Sequence, residues 1–409
     1  MSYRTLDDLA AGQRVVVRVD INSPISAGRV QDNRRFARHA RTVSELLDRG
    51  HAVAVLAHQG RPGRPAFTSL EQHADVLAEH LGTPVEFVSD TYGPTAIEAI
   101  RNLAAGEVLL LENVRMVMDE LPEKPPEEHA ESTLVRTLAP EFDAYVNDAY
   151  SAAHRAHASI VGFPEAMDAY AGPVLAAEYE ANSAVATREF DGDVTMVAGG
   201  KKATDVIAVM TALEDRVDNF LLGGIAGELF LRALGYEVGR DVGDTDVYDE
   251  QYVHNREKIQ HLIEAHPSDL VFPTDLAYED DDGERAEVTV ADVKDKEYDY
   301  LDVGTDTTSR YADIAASSGA VFVKGALGVF EDERFSYGTV NVLEAIAACD
   351  CFSVVGGGDT SRAIDMYGLR ESDFSHVSIA GGAYIRALTG KPLPAIEVLQ
   401  RSAEAEVRE

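Results

Sequence analysis

The stretch DAYSAAHRAHAS, residues 148–159, places His154, Arg155 and His157 within four positions. Other segments carry cations of the same kind: Arg35 in DNRRF, His58 and Arg61 in HQGRPGR, and Arg115 in ENVR. A guanidinium is a planar fork that binds phosphate or carboxylate oxygens two at a time. Each such charge-assisted bond is worth roughly 1.5–3 kcal/mol. A single arginine would more simply pair with one of the chain's many acids. Arginines on four segments point instead to one shared anion. Asp20 and Asn22 lie in the same half of the chain. An acid among arginines would repel that anion unless it held a hydroxyl, so these two are candidates for a ligand hydroxyl.

The second half is marked by glycine: Gly199-Gly200, Gly223-Gly224, Gly325, Gly356-Gly357-Gly358 and Gly381-Gly382. Glycine lets a ligand approach the backbone, and the N–H groups opening a helix face phosphates well. Any one pair reads as a tight turn; five together favour a nucleotide or another phosphate ligand. Lys201 and Lys202 follow the first pair, two of only eight lysines in the chain. Asp359 follows the triple glycine and could hold Mg²⁺ through phosphate oxygens and water, or cap a helix. Neither the GxxxxGK[ST] loop nor the GxGxxG dinucleotide pattern is met.

These residues share a position in the hydrophobic pattern. Apolar, β-branched runs at 14–20, 51–58, 107–113 and 143–148 alternate with helical stretches at 34–48, 70–80 and 93–104. The second half repeats the scheme, with runs at 193–200, 219–224, 269–273, 320–325, 352–358 and 376–382. Near-continuous apolar runs separated by helices read as parallel strands covered on both faces. The α/β fold expected is two doubly wound parallel-sheet, Rossmann-like domains joined by a connecting helix and hinge. Ligands bind beyond the carboxyl ends of such strands, where the arginines and glycines fall. The first domain is expected at 1–173 plus about 390–409, the connecting helix at 174–188, and the second domain at 189–389. Asp282-Gly283 marks a hairpin turn within 276–290, its acids solvated, and 120–129 is a Pro-rich loop leading into a helix. One lobe would hold a small organic phosphate and the other a nucleotide, the layout of a small-molecule phosphotransferase.

Composition narrows the setting. The formal charge is -35, with 71 acids against 36 basic residues. Self-repulsion of this size destabilises a compact state unless salt screens it, so a molar-salt cytoplasm is expected. The charge argues against nucleic acid or anionic lipid as a partner. No apolar run is long enough to span a membrane, and the N-terminus lacks a secretion signal. Cys349 and Cys351 are expected to be reduced thiols in or near the core.

With these motifs in order, the sequence resembles phosphoglycerate kinases over nearly its whole length. The pieces carrying the resemblance include VRVDINSP, DNRRF, HQGRP, LLLENVR, YVNDAYSAAHRAHAS, AGGKKATDVI, GALGVFE and VVGGGDTSRAI. The resemblance implies reversible phosphoryl transfer between 1,3-bisphosphoglycerate and ADP, giving 3-phosphoglycerate and ATP, with Mg²⁺. It implies that Asp20, Ile21, Asn22, His58, Gln59 and Gly60 bind the glycerate, with Arg61, Arg115 and Arg155 on its phosphate. Arg35 and Lys202 would be catalytic, acting on the phosphoryl group in flight. Gly200, Lys202, Glu331, Gly357, Gly358, Asp359 and Thr360 would meet the nucleotide, Glu331 at the ribose and Asp359 at the Mg²⁺. A monomer is expected, a homodimer being the alternative. The sequence departs from the family pattern at Val206, where a second lysine is usual, and at Ser151, Ile225 and Lys324, the last replacing an asparagine. Lys201 stands where a small residue is common and is the candidate to compensate in part for Val206. Val206 and Lys324 motivate the alternative of a non-catalytic phosphoglycerate-binding protein of the same fold. A nicotinamide-dependent dehydrogenase lacks its fingerprint.

Overall fold

The computed structural model describes residues 3–239, 247–293 and 298–406. The apolar runs become strands because Val, Ile and Leu branch where a doubly covered sheet needs bulk on both faces. In the first half these are β1 (Arg14–Arg18), the small hairpin β2 (Ile25–Ser26) and β3 (Arg29–Val30), β4 (Ala52–Leu56), β5 (Glu86–Val88), β6 (Val108–Leu111), β7 (Ala144–Asn147) and β8 (Ala169–Ala171). Six of them form one sheet in the order β5–β6–β4–β1–β7–β8, with every pair parallel. Helices α1 (Arg34–Asp48) and α2 (Glu71–Leu81) cover it. Phe36, Val43 and Leu46 of α1 and Leu77 of α2 share a core with Val15, Val17, Val53 and Val55. The α1 helix starts where Asn33 accepts a hydrogen bond from the Arg35 amide at 2.9 Å, which sets Arg35 in the first turn.

Short helices α3 (Pro94–Asn102), α4 (Pro126–Ala130), α5 (Thr133–Leu138) and α6 (Phe163–Ala166) complete this half, and α7 runs from Pro173 to Thr187. The chain divides into two compact units, Met1–Glu180 with Pro392–Glu409, and Ala181–Lys391, so the division falls inside α7. The last helix, Pro394–Glu406, packs in the first unit: the Ala395 amide donates to the Ala153 carbonyl at 3.1 Å, and Arg4 donates to Ser402 Oγ at 3.1 Å.

The second unit holds β9 (Val194–Ala198), α8 (Ala203–Ala212), β10 (Asn219–Leu222), α9 (Gly224–Ala233), α10 (Val247–Ala265) and β11 (Leu270–Val271). Then come β12 (Asp275–Glu279), β13 (Arg285–Thr289), β14 (Tyr300–Val303), α11 (Thr305–Ser317), β15 (Ala320–Lys324), α12 (Tyr337–Ala348), β16 (Phe352–Gly356), α13 (Gly358–Met366), β17 (His376–Val377) and α14 (Gly382–Leu388). Its main sheet runs β11–β10–β9–β15–β16–β17, again all parallel. The two doubly wound sheets expected from the pattern are present.

Three things differ from that pattern. The strands β5 and β8 carry too few residues for a periodic signal. The hairpin around Gly283 forms as expected, with Asp280 Oδ1 accepting the amides of Asp282 and Glu284, but β14 joins it to make a three-stranded antiparallel sheet. Cys349 and Cys351, expected as thiols, are joined by a disulfide. The turn after α12 brings their Cα atoms to 5.4 Å, within a bridgeable span.

Candidate functional site

Parallel register fixes which residues meet at the top of the first sheet. Arg18 pairs with Leu56 on one side and Asn147 on the other, so the residues just past β1, β4 and β7 stand at one level. Asp20 and His58, each two residues beyond its strand, therefore lie side by side. Their nearest atoms, Asp20 Oδ1 and His58 Nε2, are 4.0 Å apart. Arg35 donates to Asp20 Oδ2 at 2.8 Å and to the Asn22 carbonyl at 3.3 Å. Ser151 also donates to Asp20 Oδ2. The Asn22 amide donates to Asp20 Oδ1 at 3.0 Å, and Asn22 Oδ1 accepts the Gly60 amide at 2.7 Å. Arg115 donates to the Gly60 carbonyl. Asp20, Asn22, Arg35, His58, Gly60 and Arg115 thus form one cluster.

The charges in it are strongly coupled. Burial alone would raise the Asp20 carboxyl. The Arg35 guanidinium and the Ser151 hydroxyl outweigh that and hold it well below the usual carboxylate range. Burial pushes the His58 imidazole well down, and Arg18, Arg115 and Arg35 add to the push against Asp20. His58 is therefore neutral at physiological pH. Arg18 Nη2 donates to its Nδ1 at 3.0 Å, which leaves the proton on Nε2, facing Asp20. Burial, with Arg18 adding, lowers Arg115 to about 10, against Glu120 and Asp20. A half-buried guanidinium held this way gains from an anion that brings negative charge.

Arg18 itself, only 1% exposed, was not singled out by the sequence reading. Its Nε donates to Ser159 Oγ at 2.8 Å, and Ser159 donates in turn to the buried Glu120. The signal was an arginine inside the run RVVVRVD: a strand covered on both faces must bury it and supply partners.

The other site residues of this unit take different positions. Gln59 is fully buried and spends its amide on Ser23, Ala66 and His73. Ile21 is a core side chain. The Arg61 side chain is exposed and has no hydrogen-bond partner among the described residues, though it acts electrostatically on Arg115. Arg155 pairs with Glu123 at 3.4 Å, and His157 lies 3.8 Å from both Glu120 and Glu123. Burial, then Arg115, push His157 down to about 4. The opening HRAH cluster is thus partly neutral imidazole and partly an ion pair. His154 is half-buried.

In the second unit, Lys324 at the end of β15 pairs in register with Ala198 and Gly356, so the glycine turns after β9, β15 and β16 are level. Some of these glycines serve the protein before any ligand. A Cβ on Gly325, at φ +87°, would run into the Gly199 carbonyl, so these turns touch backbone to backbone. Gly357, at φ +104°, caps α13. Asp359 is not that cap, as the sequence allowed; it sits exposed in the first turn, with no hydrogen-bond or ion-pair partner among the described residues. Thr360 is buried and donates to the Gly356 carbonyl at 3.1 Å. Gly358 is exposed, and the exposed Lys202 caps α8. Val206 is buried on α8. A cavity of about 700 Å³ lies beside these turns; its lining includes Gly200, Lys201, Ile225, Glu228, Glu331 and Asp359. Glu331 pairs with Arg362 at 3.4 Å. Glu228, also missed from sequence, accepts from Tyr248 and from the Gly239 amide, and burial raises it to about 8. No group of three or more His, Cys, Asp or Glu that could hold a metal is found among the described residues.

Two doubly wound parallel sheets, one crowned by a guanidinium–carboxylate cluster and one by glycine turns beside a nucleotide-sized cavity, define an α/β protein with its polar chemistry at the strand carboxyl ends. Solved structures of this form are similar along the chain. The phosphoglycerate kinase of Pyrococcus horikoshii aligns with a TM-score of 0.90 at 32% identity, covering 98% of this chain and 100% of that one. The phosphoglycerate kinase of Coxiella burnetii gives 0.82 at 30%, with the same coverage. The sequence profile of phosphoglycerate kinases matches residues 6–391. Among curated relatives, the phosphoglycerate kinase of Halorubrum lacusprofundi is 66% identical, covering 98% of this chain and 99% of its own length. That of Haloarcula marismortui is 65% identical, covering 98% and 100%. The chain belongs to the phosphoglycerate kinase family.

Proposed function

We infer that the chain transfers a phosphoryl group reversibly between 1,3-bisphosphoglycerate and ADP, giving 3-phosphoglycerate and ATP. The observation that carries this reading is the family match over residues 6–391, together with relatives above 60% identity along 98% of the chain. The cluster around Asp20 agrees with it. Residues 1–173 with about 390–409 bind the glycerate, 174–188 connect, and 189–389 bind the nucleotide.

In the first unit, Arg61, Arg115 and Arg155 hold the non-transferred phosphate. Asp20, ionised and fixed by Arg35 and Ser151, accepts a hydrogen bond from the glycerate hydroxyl. Asn22 and the neutral His58 complete that side, and Gln59, Ile21 and Gly60 shape the loops. Arg35 releases Asp20 in part to neutralise the group in flight, and Lys202 does the same from the nucleotide side. Phosphoryl transfer demands positioning and charge neutralisation rather than proton chemistry, and this set supplies both. In the second unit, Gly200, Gly357, Gly358 and Thr360 offer backbone and hydroxyl contacts to phosphates, and Glu331 meets the ribose. Mg²⁺ suits a site where Asp359 is exposed and unpaired and no cluster of metal-ligating side chains is found among the described residues: it would be held mainly by nucleotide phosphates and water. When bound, it offsets phosphate charge.

The chain works in a salt-rich cytoplasm as a monomer. No helix among the described residues is long and apolar enough to cross a membrane. A coupled assay with 3-phosphoglycerate and ATP in molar KCl tests the reading: turnover is expected, and none at any salt concentration would reject it.

A further inference from the structure

Lys324 ends β15 between β9 and β16, the two strands whose following turns lead into α8 and α13. Its side chain is half-buried, yet its ammonium has no hydrogen-bond or ion-pair partner among the described residues. Nζ lies 3.9 Å from where a Cβ on Gly357 would stand, over the turn that opens α13. Lys202, at the start of α8, and Asp359, in the first turn of α13, both act on it electrostatically, as does Asp205. Burial pushes the ammonium below the usual lysine range, and Lys202 adds to this against Asp205 and Asp359. A partly desolvated cation on which a second cation acts, with Asp205 and Asp359 outside hydrogen-bond reach, gains free energy when an anion arrives to bond it directly. The two amide-rich turns flanking it favour the same charge.

We propose that Lys324 is a second catalytic cation, its ammonium meeting the terminal phosphate of the bound nucleotide alongside Lys202. The inference rests on the nucleotide reading of this unit and names a residue that reading leaves unassigned. In the transfer, the bond between the terminal phosphorus and the β-phosphate bridging oxygen breaks. A carboxylate oxygen of 3-phosphoglycerate forms the new bond, and ADP leaves with the electron pair. Lys324 gives and takes no proton; it offsets charge on the moving group.

The test is Lys324→Met, which keeps length and removes charge. Affinity for adenylyl imidodiphosphate should fall about 10–100-fold, the range of a charge-assisted bond, while adenosine stays within about twofold. The kcat should fall about 100-fold with the KM for 3-phosphoglycerate unchanged, and Lys324→Arg should restore part of the loss. Equal losses for adenosine and the triphosphate analogue would mark a structural role and overturn the proposal. So would a variant whose analogue affinity and kcat stay within about threefold of the parent. An inactive parent chain would instead reject the proposed reaction. Should Lys324→Met not fold, a crystal structure of the parent chain with the analogue decides. Nζ within about 3.2 Å of a terminal phosphate oxygen supports the assignment, and a separation beyond about 5 Å overturns it.

Discussion

At the scale of single residues, the arginine at the start of α1 and the lysine at the start of α8 carry the sharpest expectations. Arg35→Ala and Lys202→Ala should each raise the barrier to turnover by about 2–4 kcal/mol, as loss of one preorganised charge does. The check is kcat in the coupled assay, with 3-phosphoglycerate affinity measured separately; near-parental turnover by either variant would remove that residue from the chemistry. Acid sensitivity follows from the buried imidazoles. Burial lowers His73 to about 4, and His157 is held at about 4 as well. In the unfolded chain both take up a proton near the ordinary value of about 6.5. Between about 6.5 and 4 the unfolded state binds more protons, so stability falls as pH falls, by on the order of 2 kcal/mol per residue over the window. Asp20 adds to this lower down: its depressed carboxyl contributes stability above about pH 4 that is lost on further acidification. His73→Gln, which can still donate to Gln59, should flatten the upper part of that slope in urea titrations at several pH values. Parallel curves for parent and variant would contradict it. Arginines were legible in the sequence because their type announces their chemistry. Which of them reach the cluster was not: Arg155 is taken by Glu123, thirty-two positions away, and no local pattern encodes that choice.

At the scale of elements, the long units were readable and the short ones were not. The α1 helix occupies 34–48 as its periodicity indicates, because Asn33 caps it and one face meets the sheet. The three residues of β8 are strand only because Tyr145 and Asn147 of β7 offer a parallel edge, a tertiary cause invisible in AYA itself. The glycine turns were read as ligand cradles, and part of their cause is the packing of one turn on the next. Gly325→Ala tests this. With φ at +87° and the Gly199 carbonyl in the way, the variant should lose about 1–3 kcal/mol, seen as a lower Tm. The loss should appear with no nucleotide present; a Tm unchanged from the parent would show that the turn has room.

At the scale of the molecule, the charge of -35 dominates. Tm should climb strongly between dilute buffer and molar KCl as screening relieves self-repulsion, and a flat Tm across that range would contradict salt adaptation. The sequence made this legible because net charge needs no fold to be counted. It did not reveal Arg18, Ser159 and Glu120 as a buried chain of hydrogen bonds, since Arg18 and Ser159 stand 141 positions apart and Ser159 and Glu120 stand 39 apart. The helix Pro394–Glu406 belongs to the unit that begins at the other terminus. The glycine-bearing unit is therefore made between two parts of the other unit, whose long first part is synthesised well before the helix that packs on it. Leu393, Ala395, Ile396, Val398 and Leu399 are all buried, so a chain cut at residue 391 should leave an apolar seam open on the earlier-made unit and be the form that chaperones and proteases recognise.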